Sequence, residues 1–259
     1  MEKVRFGKTD LMVTRLALGG YPFAGINRAQ GWDPYSEEGK KEVYRTVNTA
    51  LDSGINYIDT APAYGNGHSE TLIGEVMRTR RSECFLATKA DWDATKEQVI
   101  ASCEASLRRL QTDYVDVLQL HGGRFTPEET DHILNRGPLE AMYELKERGL
   151  IRHIGFTVEE AWTGIPLVKS GAFESVQVCY NLARQSASHH LLDETQSADM
   201  GVCCMRPLTS GILQRELEFL APEWLKDGQI YRVCMSYSPL IRIMDAVGSA
   251  RYCDAMDMQ

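Results

Sequence analysis

Four residues stand out for the chemistry their types allow: Asp59, Tyr64, Lys89 and His121. A tyrosine with an ordinary pKa near ~10 is a poor acid or base at neutral pH. A close ammonium favours the phenolate and lowers that pKa, and a carboxylate can hold the lysine in place. A histidine on the opposite side can donate a hydrogen bond or relay a proton. The set therefore reads as one proton-transfer site. Taken singly, Asp59 with Lys89 also reads as a structural ion pair, and His121 as a satisfied core histidine.

These residues need elements to bring them together, and the sequence alternates strand-like with helix-like stretches. Arg5 to Val13, broken by Gly7-Lys8-Thr9-Asp10, reads as a hairpin. Arg15 to Leu18 reads as a strand, followed by a helix from Glu37 to Asp52 with Ser36 as N-cap and Gly54 just past its end. Further strands are expected at Asn56 to Ile58, Cys84 to Thr88, Tyr114 to Leu120, Ile151 to Phe156, Ser175 to Cys179 and Val202 to Met205. Helices are expected at Ser69 to Met77, Thr95 to Leu110, Pro138 to Arg148, Ala161 to Lys169 and Leu191 to Met200. Gly25 to Tyr35 and Gly122 to Gly137 read as variable loops.

Such alternation argues for parallel α/β in one domain over residues 1–259, and the length suits a closed (β/α)8 barrel of ~250 residues. An open doubly wound sheet would advertise a G-x-G-x-x-G turn after its first strand, and the sequence has none there. In a barrel, function gathers where strands end. Asp59 follows one strand, Lys89 ends the next and His121 ends the one after, so the four groups share a rim.

A net charge of −8 disfavours broad nucleic-acid binding while leaving room for a local basic pocket. No run approaches the ~18 apolar residues of a membrane span, and the start lacks the apolar core of a signal peptide. Seven cysteines without C-x-x-C spacing fit reduced thiols in a cytoplasmic protein. His68, His132, His153 and the His189-His190 pair lack metal-ligand spacing, so no metal is expected. Oligomeric state is not legible.

The segment Asp59-Thr60-Ala61-Pro62-Ala63-Tyr64-Gly65-Asn66-Gly67-His68-Ser69-Glu70 closely resembles the most characteristic stretch of the aldo-keto reductases. Leu86 to Lys89, Tyr114 to His121, the hairpin with Gly7-Lys8-Thr9, and Arg152 to Gly155 are similar to further segments of that family, in the same order. The resemblance runs from about Met1 to Leu213. It implies a (β/α)8 barrel with an N-terminal β-hairpin. It also implies reduction of a small aldehyde or ketone, or the reverse reaction on an alcohol or sugar, with a nicotinamide cofactor. Tyr64 would be the general acid, tuned by Lys89 and Asp59, with His121 orienting the carbonyl.

By the same resemblance, Gln177 would bind the carboxamide and Pro207, Leu208, Gly211 and Leu213 would lie in the loop beneath the pyrophosphate. Gly20, Tyr21 and Asp59 sit where the family touches cofactor and substrate, and Tyr21, Trp32 and Trp92 are candidates to line the substrate pocket. Three departures stand out. Thr157-Val158 replaces the frequent Ser-Asn, keeping a hydroxyl but not an amide. Met205-Arg206 replaces Tyr-Ser, and a methionine can pack flat against a ring. Ser249 and Arg251 would meet the adenosine end, Arg251 pointing to NADP with NAD as the alternative. Only eleven residues follow Gly248, which implies a shortened C-terminal end. Two other functions fit the residues: a cofactor-binding regulatory or scaffolding protein of the potassium-channel beta-subunit kind, and a barrel enzyme moving protons without net redox. Nucleotide binding with turnover separates the three.

Overall fold

The computed structural model describes residues 1–209. The contacts expected of Gly211, Leu213, Ser249 and Arg251 fall outside these residues.

The chain opens with a hairpin, strands β1 (Lys3–Arg5) and β2 (Met12–Thr14), paired antiparallel. Seven parallel strands follow in sequential order: β3 (Leu18–Gly19), β4 (Tyr57–Asp59), β5 (Phe85–Asp91), β6 (Val115–His121), β7 (Ile151–Val158), β8 (Ser175–Cys179) and β9 (Gly201–Met205). Helices α1 (Glu37–Asp52), α2 (His68–Arg80), α3 (Lys96–Leu110), α4 (Pro127–Asn135), α5 (Pro138–Glu147), α6 (Ile165–Lys169) and α7 (Leu191–Ser197) lie between the strands.

Local chemistry sets the helix starts. Ser36 accepts from the Gly39 N–H, and Thr95 forms a capping box with Gln98. Along α1, Val43, Val47, Ala50 and Leu51 form the buried stripe. Helix α4 lies inside the stretch read as a loop. Thr126-Pro127-Glu128-Glu129 is a capping box with proline at the first helical position, a start signal that the turn-like flanks obscured.

The strand expected at Arg15 to Leu18 shrinks to Leu18–Gly19. Part of its backbone is used elsewhere: the Arg15 N–H donates to the Glu2 carbonyl, and the Leu16 carbonyl accepts from the Thr14 hydroxyl. Lys89 lies two residues before the end of β5, because pairing of Ala90 and Asp91 with Leu120 and His121 prolongs that strand.

Strand residues alternate between two packing layers. Ile58, Leu86, Leu118, Phe156 and Val176 pack in the layer with the helices, whereas Tyr57, Ala87 and Val117 pack with Phe6 and Val13 of the hairpin region. Cys203 of β9 joins that second cluster beside Tyr57 of β4. Five strand spacings would separate those strands by about 24 Å in a flat sheet, so the sheet curls around the hairpin plug. Among the described residues there are seven parallel strands, not eight, and β3 and β9 each pair on one side. A cleft of about 710 Å³ lies between those edges, bordered by Leu16 and Ala17 on one side and Val202 to Cys204 on the other.

Candidate active site

Asp59 and His121 are the last residues of β4 and β6, and Lys89 lies near the end of β5, so three neighbouring strands deliver their side chains to one rim. Tyr64 arrives from the β4–α2 loop. Its N–H donates to the Ala61 carbonyl, and its own carbonyl accepts from the Ser69 N–H at 3.2 Å. The loop turns through Gly65, Asn66 and Gly67, all at positive φ, a region that glycine enters freely and asparagine tolerates.

Lys89 is the hub. Its Nζ lies 2.8 and 3.0 Å from the Asp59 carboxylate oxygens, 2.8 Å from the Thr60 carbonyl and 3.2 Å from Tyr64 Oη. It is 1% exposed, and Asp59 is 6% exposed. An ammonium has three protons to donate and accepts none, so Tyr64 Oη must accept from it. The phenolic proton is then directed away from the lysine. His121 meets the Tyr64 ring edge-on at 5.9 Å, and Tyr21 meets it from another side at 5.1 Å.

Gln119 was not singled out in the sequence. It donates to Asp59 Oδ1 at 2.9 Å and so holds the carboxylate from the neighbouring face of β6. The signal was available: Gln119 is a polar residue in the apolar run of β6, two positions before His121 and hence on its face.

Burial shapes the protonation states. It opposes the Lys89 ammonium, but Asp59 and Tyr64 together outweigh it and raise the pKa. Burial also pushes the Tyr64 phenol up, and the pull of Lys89 does not offset it. The sequence argument, which counted only the ammonium, predicted the opposite direction. His121 is held below its ordinary 6.5 by burial, reinforced by Lys89. The site at neutral pH therefore pairs an ammonium with a protonated phenol and a neutral imidazole.

The other expected contacts are distributed unevenly. Gln177 is buried, and its amide approaches Cys203 Sγ at 3.9 Å. The Thr157 hydroxyl is engaged with Gly122, donating to its carbonyl and accepting from its N–H. Val158 packs in the helix layer, so an amide at that position would enter the apolar layer. Gly20 is packed against Ser69 and Thr60, and a Cβ there would lie 2.6 Å from Ser69 Oγ. Tyr21 and Leu208 are exposed on the surface, as are Arg206 and Pro207, with Met205 half-buried. Arg206, at φ 55°, pairs with Glu159 at 2.9 Å and has its carbonyl held by Asn181. The Trp32 indole donates to Glu42 of α1, which makes it an anchor for its loop. Trp92 stacks edge-on with Phe125 and His132 just beyond the end of β5. No group of three metal-ligating side chains occurs among the described residues. Nor is any described helix long and apolar enough to cross a membrane.

A curled parallel sheet with a carboxylate–ammonium–phenol chain on its rim defines an α/β protein equipped for acid–base work. Comparison with known proteins then narrows this. A profile described as the aldo/keto reductase family matches residues 16–226. The aldo-keto reductase YhdN of Bacillus subtilis is 31% identical over 229 residues, covering 82% of this chain and 64% of the relative. L-Galactose dehydrogenase of Arabidopsis thaliana is 30% identical over 236 residues, covering 84% of this chain and 68% of the relative. Among solved structures, an aldo-keto reductase from Klebsiella pneumoniae in complex with NADPH superposes with a TM-score of 0.69 at 27% identity, covering 83% of this chain and 72% of that one. The chain belongs to the aldo/keto reductase family, a family of oxidoreductases. It spans about two thirds of the length of the two curated relatives.

Proposed function

We propose that the protein is a nicotinamide-dependent oxidoreductase that interconverts a small aldehyde, ketone or sugar with its alcohol, with Tyr64 as the acid–base group. The observation that carries this is the 3.2 Å contact in which Tyr64 accepts from a buried Lys89 ammonium. That contact leaves the phenolic proton available to a substrate oxygen. As carbonyl oxygen gains charge, Tyr64 donates its proton, and the neighbouring ammonium stabilises the phenolate left behind. Asp59 and Gln119 hold the lysine in place, and the neutral imidazole of His121 donates a hydrogen bond that orients the carbonyl. In the alcohol direction the same phenolate accepts the proton.

The residues fit a nicotinamide cofactor. Gln177 presents a buried amide whose near neighbour is a thiol, a weak hydrogen-bond partner, and so can read a carboxamide. Arg206 places a guanidinium on the rim, where it would meet phosphate. Bound there, the cofactor would supply hydride. The NADPH of the Klebsiella relative favours NADP over NAD. In a closed eight-stranded barrel, the arrangement this reading favours, the eighth strand would lie between β3 and β9.

Titration of NADPH and NADH followed by nucleotide fluorescence, then a panel of aldehydes and sugars, tests the reading. Micromolar binding is expected, with turnover that Tyr64→Phe abolishes while nucleotide affinity is kept. Absence of binding by either nucleotide would sink the redox assignment.

A further inference from the structure

Glu70 is fully buried, yet the proton chemistry above does not use it. It lies in the first turn of α2, where a negative charge is favoured by the helix dipole. Its two oxygens go to different elements. Oε1 accepts from the Thr88 hydroxyl of β5 at 2.5 Å, and Oε2 accepts from Arg109 Nε of α3 at 2.6 Å. Arg109 also bonds Ser106 within its own helix, and its stem lies against Gly67: a Cβ on that glycine would come within 2.5 Å of Arg109 Cδ.

These partners stand next to the reacting groups in the chain. Thr88 precedes Lys89. Glu70 follows Ser69, whose N–H holds the Tyr64 carbonyl at 3.2 Å. The Ser69 hydroxyl meanwhile donates to the Gly20 carbonyl and lies 2.9 Å from Thr60 Oγ1. The carboxylate of Glu70 thus ties the strand that carries Lys89 to the loop that carries Tyr64, and Arg109 braces the tie from outside the sheet. We propose that the Arg109–Glu70–Thr88 chain is a positioning element that sets the separation between Lys89 and Tyr64.

The proposal deepens the proposed function and rests on its assignment of Tyr64 as the proton donor. A purely structural ion pair of the same kind exists at the other end of the sheet, where Arg81 holds the buried Asp116 at 2.7 Å. That pair supplies the control. Removing either arginine leaves a buried carboxylate short of a partner and lowers stability, but only Arg109 touches the Tyr64 loop.

The test uses full-length protein carrying 3-fluorotyrosine, whose more acidic phenol titrates in an accessible range. The fluorine resonance of residue 64 is identified by its loss in Tyr64→Phe. In Arg109→Met the phenol should drift from the ammonium, and its midpoint should rise by about half a unit or more. With a substrate in hand, kcat should fall about tenfold with KM changed less than about twofold. Thr88→Val, nearly isosteric and leaving the Arg109–Glu70 pair in place, should shift the midpoint in the same direction, whether or not Arg109→Met folds. Arg81→Met should lower the melting temperature and leave the residue-64 midpoint in place. The proposal is overturned if Thr88→Val leaves that midpoint at its wild-type value, or if Arg81→Met moves it as far as Arg109→Met does. Absence of carbonyl turnover in the wild type would instead count against the reductase reading, and the fluorine titration would still decide the positioning role.

Discussion

The two ends of the parallel sheet each bury a carboxylate among cations, and they use it differently. At the base, Asp116 is 1% exposed and accepts from Arg81, from Arg152 and from the Leu86 N–H. The Tyr114 ring lies between the two guanidiniums, 4.2 and 4.0 Å from them. Every donor there is a permanent cation or a backbone amide. At the rim, Asp59 shares its oxygens between Gln119 and Lys89, and the same lysine reaches a half-buried phenol. Burial of charge is thus common to both ends. What distinguishes the rim is that the chain of donors ends on a phenol, the group proposed to release a proton toward a substrate.

Replacing the central cation at each end should separate these roles. Lys89→Met is expected to lower kcat by roughly 10²–10⁴, the span of general acid–base contributions, and also to destabilise the fold because Asp59 loses its ammonium. Steady-state kinetics with a melting curve reads both. Arg81→Met is expected to cost about 3 kcal/mol of stability by chemical denaturation, with kcat within about twofold. If that variant lost activity as steeply as Lys89→Met, the two ends would not differ in the way described.

A smaller effect comes from Glu174, near the base. Burial would raise its pKa, but His153, Lys146 and the Ile154 N–H outweigh it and hold the carboxyl down at about 2. A carboxylate depressed in the folded state contributes stability above its unfolded pKa near 4.5, and that stability is lost as pH falls toward 2. The unfolding free energy from urea denaturation should therefore fall between pH 5 and pH 2.5, by on the order of 2 kcal/mol. Glu174→Gln should flatten that decline, and an unchanged slope would count against the ion pairs.

Much of this was legible in the sequence, for identifiable reasons. Strand ends announced Asp59 and His121, and the Ser36 cap fixed the start of α1, because these signals are local. The Thr126 cap was equally local and was passed over in favour of its glycine-rich flanks. Gln119 and Glu70 were harder. Their partners lie 60 and 39 residues away in sequence, Asp59 and Arg109 respectively, so only the fold brings them together. The direction of the Tyr64 shift was missed because the lysine is visible in sequence and burial is not. Val158, read as a departure that removes an amide donor, packs in the helix layer, a consequence of strand alternation. Trp32 is similarly turned to Glu42.

The central claim is that Tyr64 moves the proton, and the pH dependence of kcat in the alcohol-oxidising direction tests it most directly. Oxidation needs the phenolate, and the Tyr64 pKa is raised above its ordinary 10.0. The rate should therefore climb with pH across the neutral and alkaline range without levelling below about pH 10. Carbonyl reduction, which needs the phenol, should stay flat over the same range. An oxidation profile that is flat, or a pH-dependent one that survives intact in Tyr64→Phe, would contradict the account.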